Sequence, residues 1–250
     1  MTVAAYAVGA YSAGESSVLT EPKRAKRDGS SVGVIAVHGH GGTSLQFQSA
    51  GSGSGGFTLA LALAGFTVLS IDAGGPTPWA DDAEMTDLTA AYNYLLNTIH
   101  VASPKVCVLG WSMGGLAALN WVKRNPTLVK AACVFAPATD LAYFHDTSVG
   151  KATYAPEIEA DYGGSAGWAA GIVGHAPIGE PANYRGLPPV RIYHGDADTT
   201  VPLAQSQAFV NAVNDPHMAL RVIAGRDHSS VFDGVNVRDV VDLFAGTAAA

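Results

Sequence analysis

Gly110-Trp111-Ser112-Met113-Gly114, followed by Gly115, puts one serine between an apolar run (Val106 to Leu109) and a stretch of helical periodicity. If the chain turns sharply there, the small residues two positions either side let the backbone bend closely. The turn then lifts the hydroxyl above the strand end. The N-terminus of the following helix faces the negative charge that develops when a carbonyl is attacked. A serine hydroxyl is a weak nucleophile at neutral pH, so this chemistry needs a base and an acid to orient the base. On such an elbow they follow in the chain order serine, acid, histidine.

Two later segments supply candidates: His194-Gly195-Asp196-Ala197-Asp198-Thr199-Thr200-Val201-Pro202 and Gly225-Arg226-Asp227-His228. Each follows a short apolar run and so falls at the carboxyl end of a strand, where open α/β sheets build their sites. His228 is the expected general base, and the earlier segment offers Asp196 and Asp198 as the acid.

These residues need a sheet to hold them. Five segments read as buried strands: Val32 to Val37, Phe66 to Ile71, Val106 to Leu109, Ala131 to Phe135 and Val190 to Tyr193. They are short and nearly uninterrupted runs of Val, Ile, Leu and other apolar residues, as parallel strands covered on both faces are. Leu220 to Ile223 is a weaker sixth, and Val3 to Leu19 has room for one or two antiparallel edge strands. Helical patterns lie between them at Asp82 to Ile99, Met113 to Arg124, Leu203 to Val213 and about Asn236 to Phe244. Strand–helix alternation predicts an α/β fold, a mostly parallel central sheet with helices on both faces. The expected organisation is one domain over residues 1–250. From Ala138 to Leu187 the rhythm breaks into a Gly-, Ala- and aromatic-rich stretch without a clear strand. Inserts of that length are commonly lids or binding loops, and a cap over the site is expected there.

On the elbow at 110–114, the His-Gly-x-Gly-Gly loop at 38–42, the His-Gly-x-x-Asp-x-x-Val-Pro segment at 194–202 and the Gly-x-x-His ending at 225–228, the sequence resembles the α/β-hydrolase superfamily. The likeness is to bacterial esterases and lipases of the carboxylesterase kind and their peptidase-like relatives. The resemblance selects Asp198 over Asp196 as the triad acid, with Asp140, after the fourth buried strand, as the rival position. It also implies that the backbone N–H of His40 is one oxyanion donor. The other is the N–H of Met113, the residue after the nucleophile. Trp111 of the elbow and Tyr143 and Phe144 of the insertion are the candidate substrate-binding residues.

The remaining polar residues have plainer readings. His38 and His194 precede glycine at strand ends and are expected to brace loops. Asp196 and Asp227 suit local turn hydrogen bonds. His145 and His175 lie in the insertion, with substrate and surface roles both open. A metal held by His38 and His40 is disfavoured by their spacing on a glycine loop and the lack of an adjacent carboxylate.

Composition narrows the partners. A net charge of -7, with one basic cluster from Lys23 to Arg27, argues against nucleic acid. Cys107 and Cys133 sit in apolar runs and do not make a disulfide framework or zinc site. No apolar stretch reaches the length of a membrane span, and no basic leader precedes the N-terminal segment, so the expectation is a soluble, cytoplasmic protein without integral membrane association. The resemblance to esterases and lipases implies two-step acyl transfer on a small or medium ester, with no metal or organic cofactor, as the expected activity. A thioesterase or amidase, another chemistry on the same fold, and a non-catalytic binding module remain the alternatives.

Overall fold

The apolar runs form one sheet. The computed structural model describes residues 2–8, 11, 16–22, 27–48, 55–102, 104–147 and 151–246. Its strands are β1 (Val3–Val8), β2 (Ser17–Pro22), β3 (Gly33–Val37), β4 (Thr67–Ile71), β5 (Val106–Trp111), β6 (Val129–Phe135), β7 (Val190–Gly195) and β8 (Met218–Ile223). They lie in the order β1-β2-β4-β3-β5-β6-β7-β8. β2 pairs antiparallel with both β1 and β4, and the other pairs are parallel. Both antiparallel strands fall within or next to the N-terminal stretch expected to supply them, although residues 9–10 and 12–15 of that stretch lie outside the described residues. β8 is one of the two edge strands and is half exposed, which explains its weaker apolar pattern.

Strand alternation assigns the two faces. Ile35, Val37, Val106, Val108, Ala132 and Val134 join the core that also holds α2 (Asp82–Tyr94), α3 (Met113–Arg124) and α7 (Leu203–Val213). Val34, Ala36, Cys107, Leu109, Cys133 and Phe135 point the other way, onto α1 (Gly55–Leu63) and α8 (Val237–Ala245). α3 and α7 have the predicted bounds, and Asn236 caps α8 by accepting from Arg238 N. The helix expected over Asp82 to Ile99 ends at Tyr94 and continues as a π-type turn, Leu95–Ile99.

α1 was not expected from the sequence. Its buried positions, Phe57, Thr58, Leu61 and Ala62, have helical spacing, but exposed Leu59 and Leu63 blur the pattern and glycines precede it.

The Ala138–Leu187 segment contains α4 (Leu141–Asp146), α5 (Ala155–Asp161), α6 (Trp168–Gly171) and two 3₁₀ turns, with no strand among the described residues. Its later half is fastened to α3. The buried Asn120 amide donates to His175 O at 2.7 Å and accepts from Tyr184 Oη at 2.9 Å, and Lys123 pairs with Glu180.

β5 and β6 are neighbours, but their register sets Cys107 opposite Ala131 and Cys133 opposite Leu109, and both cysteines are free. Of the basic cluster, residues 23–26 lie outside the described residues, and Arg27 pairs with Glu21 at 2.9 Å. Among the described residues no helix is long and apolar enough to cross a membrane.

Candidate active site

β5 delivers the chain to Trp111, and α3 leaves at Met113. Ser112 makes the corner at φ 57° and ψ -118°. A non-glycine residue in that region costs about 1–3 kcal/mol and persists only where its surroundings over-determine it. Here they do. Ser112 N donates to Phe135 O at 2.9 Å, and Ser112 O accepts from Gly115, Leu116 and Ala138 N at 3.0, 3.1 and 3.1 Å. The glycines are required by contact. A methyl group on Gly110 would overlap Gly114 O, and one on Gly114 would overlap the carbonyls of Val37 and His38. On Gly115 it would meet Pro137 Cβ at 2.9 Å.

The loops after β7 and β8 bring Asp198 and His228 together. His228 Nδ1 donates to Asp198 Oδ2 at 2.7 Å, and Thr200 and Val201 N both donate to Oδ1 at 2.9 Å. With its proton on Nδ1, a neutral His228 leaves Nε2 free to accept one. Burial alone would raise the Asp198 pKa. Hydrogen bonds from His194, His228 and Val201, with the His228 charge, outweigh it and hold the carboxyl well below the usual range. Asp140 is occupied elsewhere: it caps α4 by accepting from Tyr143 N at 3.1 Å.

Trp111 links this pair to the elbow. Its ring lies 5.3 Å from that of His228 between centroids, and its Nε1 donates to His228 O at 3.2 Å. Phe232 packs edge-on against the indole at 5.5 Å between centroids.

The glycine loop after β3 also reaches the serine. A methyl on Gly39 would come within 3.3 Å of Ser112 Cβ and Trp111 O, a tight contact that shows how close this loop lies to the serine. Gly39 N donates to Gln46 Oε1 at 2.7 Å and Gly42 N to Gly39 O at 3.0 Å. Gly41, at φ 69°, donates to Pro76 O at 2.7 Å. His40 follows the glycine that meets Ser112, and Met113 follows Ser112 at the start of α3. The His40 ring reaches away to α5, where its Nε2 lies 2.8 Å from Glu157 Oε2.

The insertion's aromatic residues are largely packed. Phe144 is 3% exposed and sits among Trp79, Tyr143 and Tyr154 at centroid distances of 5.5, 5.4 and 5.6 Å. Little of its ring is open to a ligand. Tyr143 is half-buried and more accessible.

Two residues near the site carried no motif. Trp79 Nε1 donates to Glu157 Oε2 at 3.0 Å, joining the loop after β4 to α5. Trp79 lies in a Pro-Trp loop with no local pattern, and Glu157 is one of several acids in the insertion. Only their proximity to His40 marks them.

The other histidines mostly brace the fold. His194 is fully buried. Its Nε2 faces two acceptors, Val201 O at 2.8 Å and Asp198 Oδ2 at 3.3 Å, so it carries the proton and Nδ1 accepts from Ser206 Oγ. His38 contacts the carbonyls of Gly39 and Asp72 at 2.8 and 2.9 Å. His145 stacks on Trp168 at 3.5 Å, and His175 bonds Ala80 O at 2.8 Å. Asp227 makes the expected local turn, accepting from Ser229 and Ser230 N. Asp196 departs from expectation: it accepts from Gly225 N at 2.6 Å across two loops, since adjacent strands β7 and β8 bring their ends together. Among the described residues no group of three or more His, Cys, Asp or Glu could hold a metal ion.

The prolyl oligopeptidase family matches residues 58–245 of the chain. No curated protein matches it. Among solved structures, a prolyl endopeptidase is similar at 18% identity and a TM-score of 0.71, over 98% of this chain and 38% of that one. The chain thus spans well under half of that enzyme's length. An esterase from Pyrococcus furiosus is similar at 19% identity and a TM-score of 0.68, over 93% of this chain and 87% of the esterase. An S-formylglutathione hydrolase from Agrobacterium tumefaciens is similar at 16% identity and a TM-score of 0.76, over 99% and 95% of the two chains. At these identities the shared property is the sheet and its connections.

Proposed function

The chain belongs to the prolyl oligopeptidase family and is a serine hydrolase of the α/β-hydrolase type, and from that premise we propose that it cleaves carboxylic esters through an acyl-enzyme on Ser112. The observation that carries the reading is the His228–Asp198 pair at 2.7 Å, joined to the elbow through Trp111. In the proposed reaction His228 Nε2 takes the Ser112 proton as Oγ attacks the ester carbonyl. It returns that proton to the leaving alcohol, and water then repeats the sequence to release the acid. Asp198 fixes the imidazole tautomer and stabilises the imidazolium. The N–H groups of His40 and Met113 are proposed to bind the oxyanion, and the segment from Ala138 to Leu187 to cap the site. The substrate is a small or medium ester, and no metal or cofactor enters a step. Trp111 is assigned to support His228; Tyr143 and Phe144 remain candidates for substrate binding, with Tyr143 the more accessible.

Family membership favours a second reading, amide or peptide cleavage by the same residues. Both use a tetrahedral intermediate and differ in the leaving group that His228 must protonate. The test is turnover of p-nitrophenyl esters from acetate to long acyl chains beside prolyl p-nitroanilides, for wild type and Ser112→Ala. Ester turnover that Ser112→Ala abolishes supports the first reading. Preferential anilide turnover moves the assignment to a peptidase. Folded wild type that turns over neither, and is not labelled by a fluorophosphonate, overturns both.

A further inference from the structure

We infer that Glu157 is a positioning residue for the oxyanion loop, holding the His40 peptide in register with Ser112 from a helix of the insertion. The inference rests on the reading of Ser112 as nucleophile and His40 N–H as oxyanion donor.

Gly39, Gly41 and Gly42 surround His40, and glycine restricts the backbone least. The loop's main-chain hydrogen bonds are made by the flanking residues: Gly39 N to Gln46 Oε1, Gly41 N to Pro76 O, and Gly42 N to Gly39 O, which closes a turn around His40. His40 itself is held through its ring. An ionised carboxylate only accepts, and indole Nε1 only donates. Glu157 Oε2 therefore takes two hydrogen bonds, from His40 Nε2 at 2.8 Å and Trp79 Nε1 at 3.0 Å. Tyr154, one turn earlier, closes on the edge of the imidazole at 5.0 Å between centroids.

The anchor does not depend on the loop it holds. Asp161, one turn beyond Glu157, accepts from Trp79 N at 3.1 Å, and Tyr162 Oη donates to Trp79 O at 2.6 Å. Both main-chain groups of Trp79 are thus fastened to the α5 end without Glu157. α5 stays docked on Trp79 when the Glu157 carboxylate is removed, and what is lost is the tie to His40. Oxyanion donors act through pre-set geometry, and a displacement of about 1 Å can cost on the order of 10²-fold in rate. The tie should therefore appear in turnover more than in substrate binding.

The experiment compares wild type, Glu157→Ala, Glu157→Gln, His40→Ala and the Glu157→Ala/His40→Ala double variant on p-nitrophenyl acetate, with inhibition by a phenylboronic acid. Expected are a fall in kcat of about tenfold in Glu157→Ala with KM within about twofold, and boronate affinity weakened in parallel. Glu157→Gln, whose amide oxygen accepts the same two bonds, should recover most of the rate. His40→Ala should lose as much as Glu157→Ala, and the double variant no more than either. Unchanged kcat in Glu157→Ala, a change confined to KM, or losses that multiply in the double variant overturn the inference. If Glu157→Ala does not fold, His40→Ala carries the test, and full kcat there overturns it. Wild type lacking both turnover and fluorophosphonate labelling instead overturns the hydrolase reading beneath it.

Discussion

Asp198 Oδ2 lies 2.7 Å from His228 Nδ1, and His194 Nε2 approaches the same oxygen to 3.3 Å. Two imidazoles from different segments converge on one acid oxygen, while the Thr200 and Val201 amides hold the other. The Asp140 carboxylate instead caps α4 by accepting from Tyr143 N, and its own N–H donates to Gln205 Oε1. Asp198→Asn turns an acceptor toward a mixed amide and disrupts the His228 tautomer, so ester turnover should fall by about 10⁴-fold. Asp140→Asn should stay within about threefold, since Asn caps a helix as well as Asp. Steady-state kinetics of the two variants check this, and equal losses would remove Asp198 from its assigned role.

The elbow glycines should be intolerant for a steric reason. Gly114→Ala drives a methyl into the Val37 and His38 carbonyls, backbone atoms that cannot rotate away. A loss of about 2 kcal/mol or more in urea unfolding is expected, together with loss of activity. Gly56, in α1, has open space around its Cα, and Gly56→Ala should stabilise by about 0.5–1 kcal/mol. Similar behaviour of the two variants would contradict the backbone-contact account.

Asp161 gives the α5 contact a pH dependence. Burial pushes its pKa up to about 6, against the lowering Trp79 N–H bond and helped by the charges of Asp81 and Glu157. An acid with a raised native pKa contributes stability below its unfolded value, near 3.9, that is lost as pH rises through the native value. The window is therefore about pH 4 to 6. Asp161→Asn keeps an acceptor for Trp79 N and cannot ionise. Relative to wild type, it should gain stability between about pH 4 and pH 7.5. Urea unfolding at both pH values measures the difference, and a constant difference would disprove the shift.

The two thiols should be inert in the folded protein. Burial pushes Cys107 up to about 12 and Cys133 higher still. The thiolate is the reactive form, so Ellman's reagent should label neither until denaturant is added. Rapid labelling in native buffer would contradict the packing of β5 and β6.

Much of the fold was legible because parallel strands covered on both faces leave dense apolar runs. The strand expectations at Val106 to Leu109 and Val190 to Tyr193 needed only extension at their ends. α1 was not legible: exposed Leu59 and Leu63 fill the positions that polar residues normally mark. In the insertion, the sequence marked Tyr143 and Phe144 by residue type alone. Burial then separated them, since type does not say whether a ring faces a ligand or other rings.

The sequence by itself marked the elbow at Ser112, the glycine loop and the two segments that carry Asp198 and His228, with the choice of Asp198 left to a family resemblance. Each depends on local backbone chemistry, and local chemistry is written in neighbouring residues. Tertiary structure alone decided that Asp198 meets His228 while Asp140 caps a helix, that Asp196 crosses to Gly225, and that Glu157 reaches His40 across 117 positions of chain. Those contacts are set by strand order and helix docking, and no local spacing encodes the distance between segments that only the folded sheet brings together.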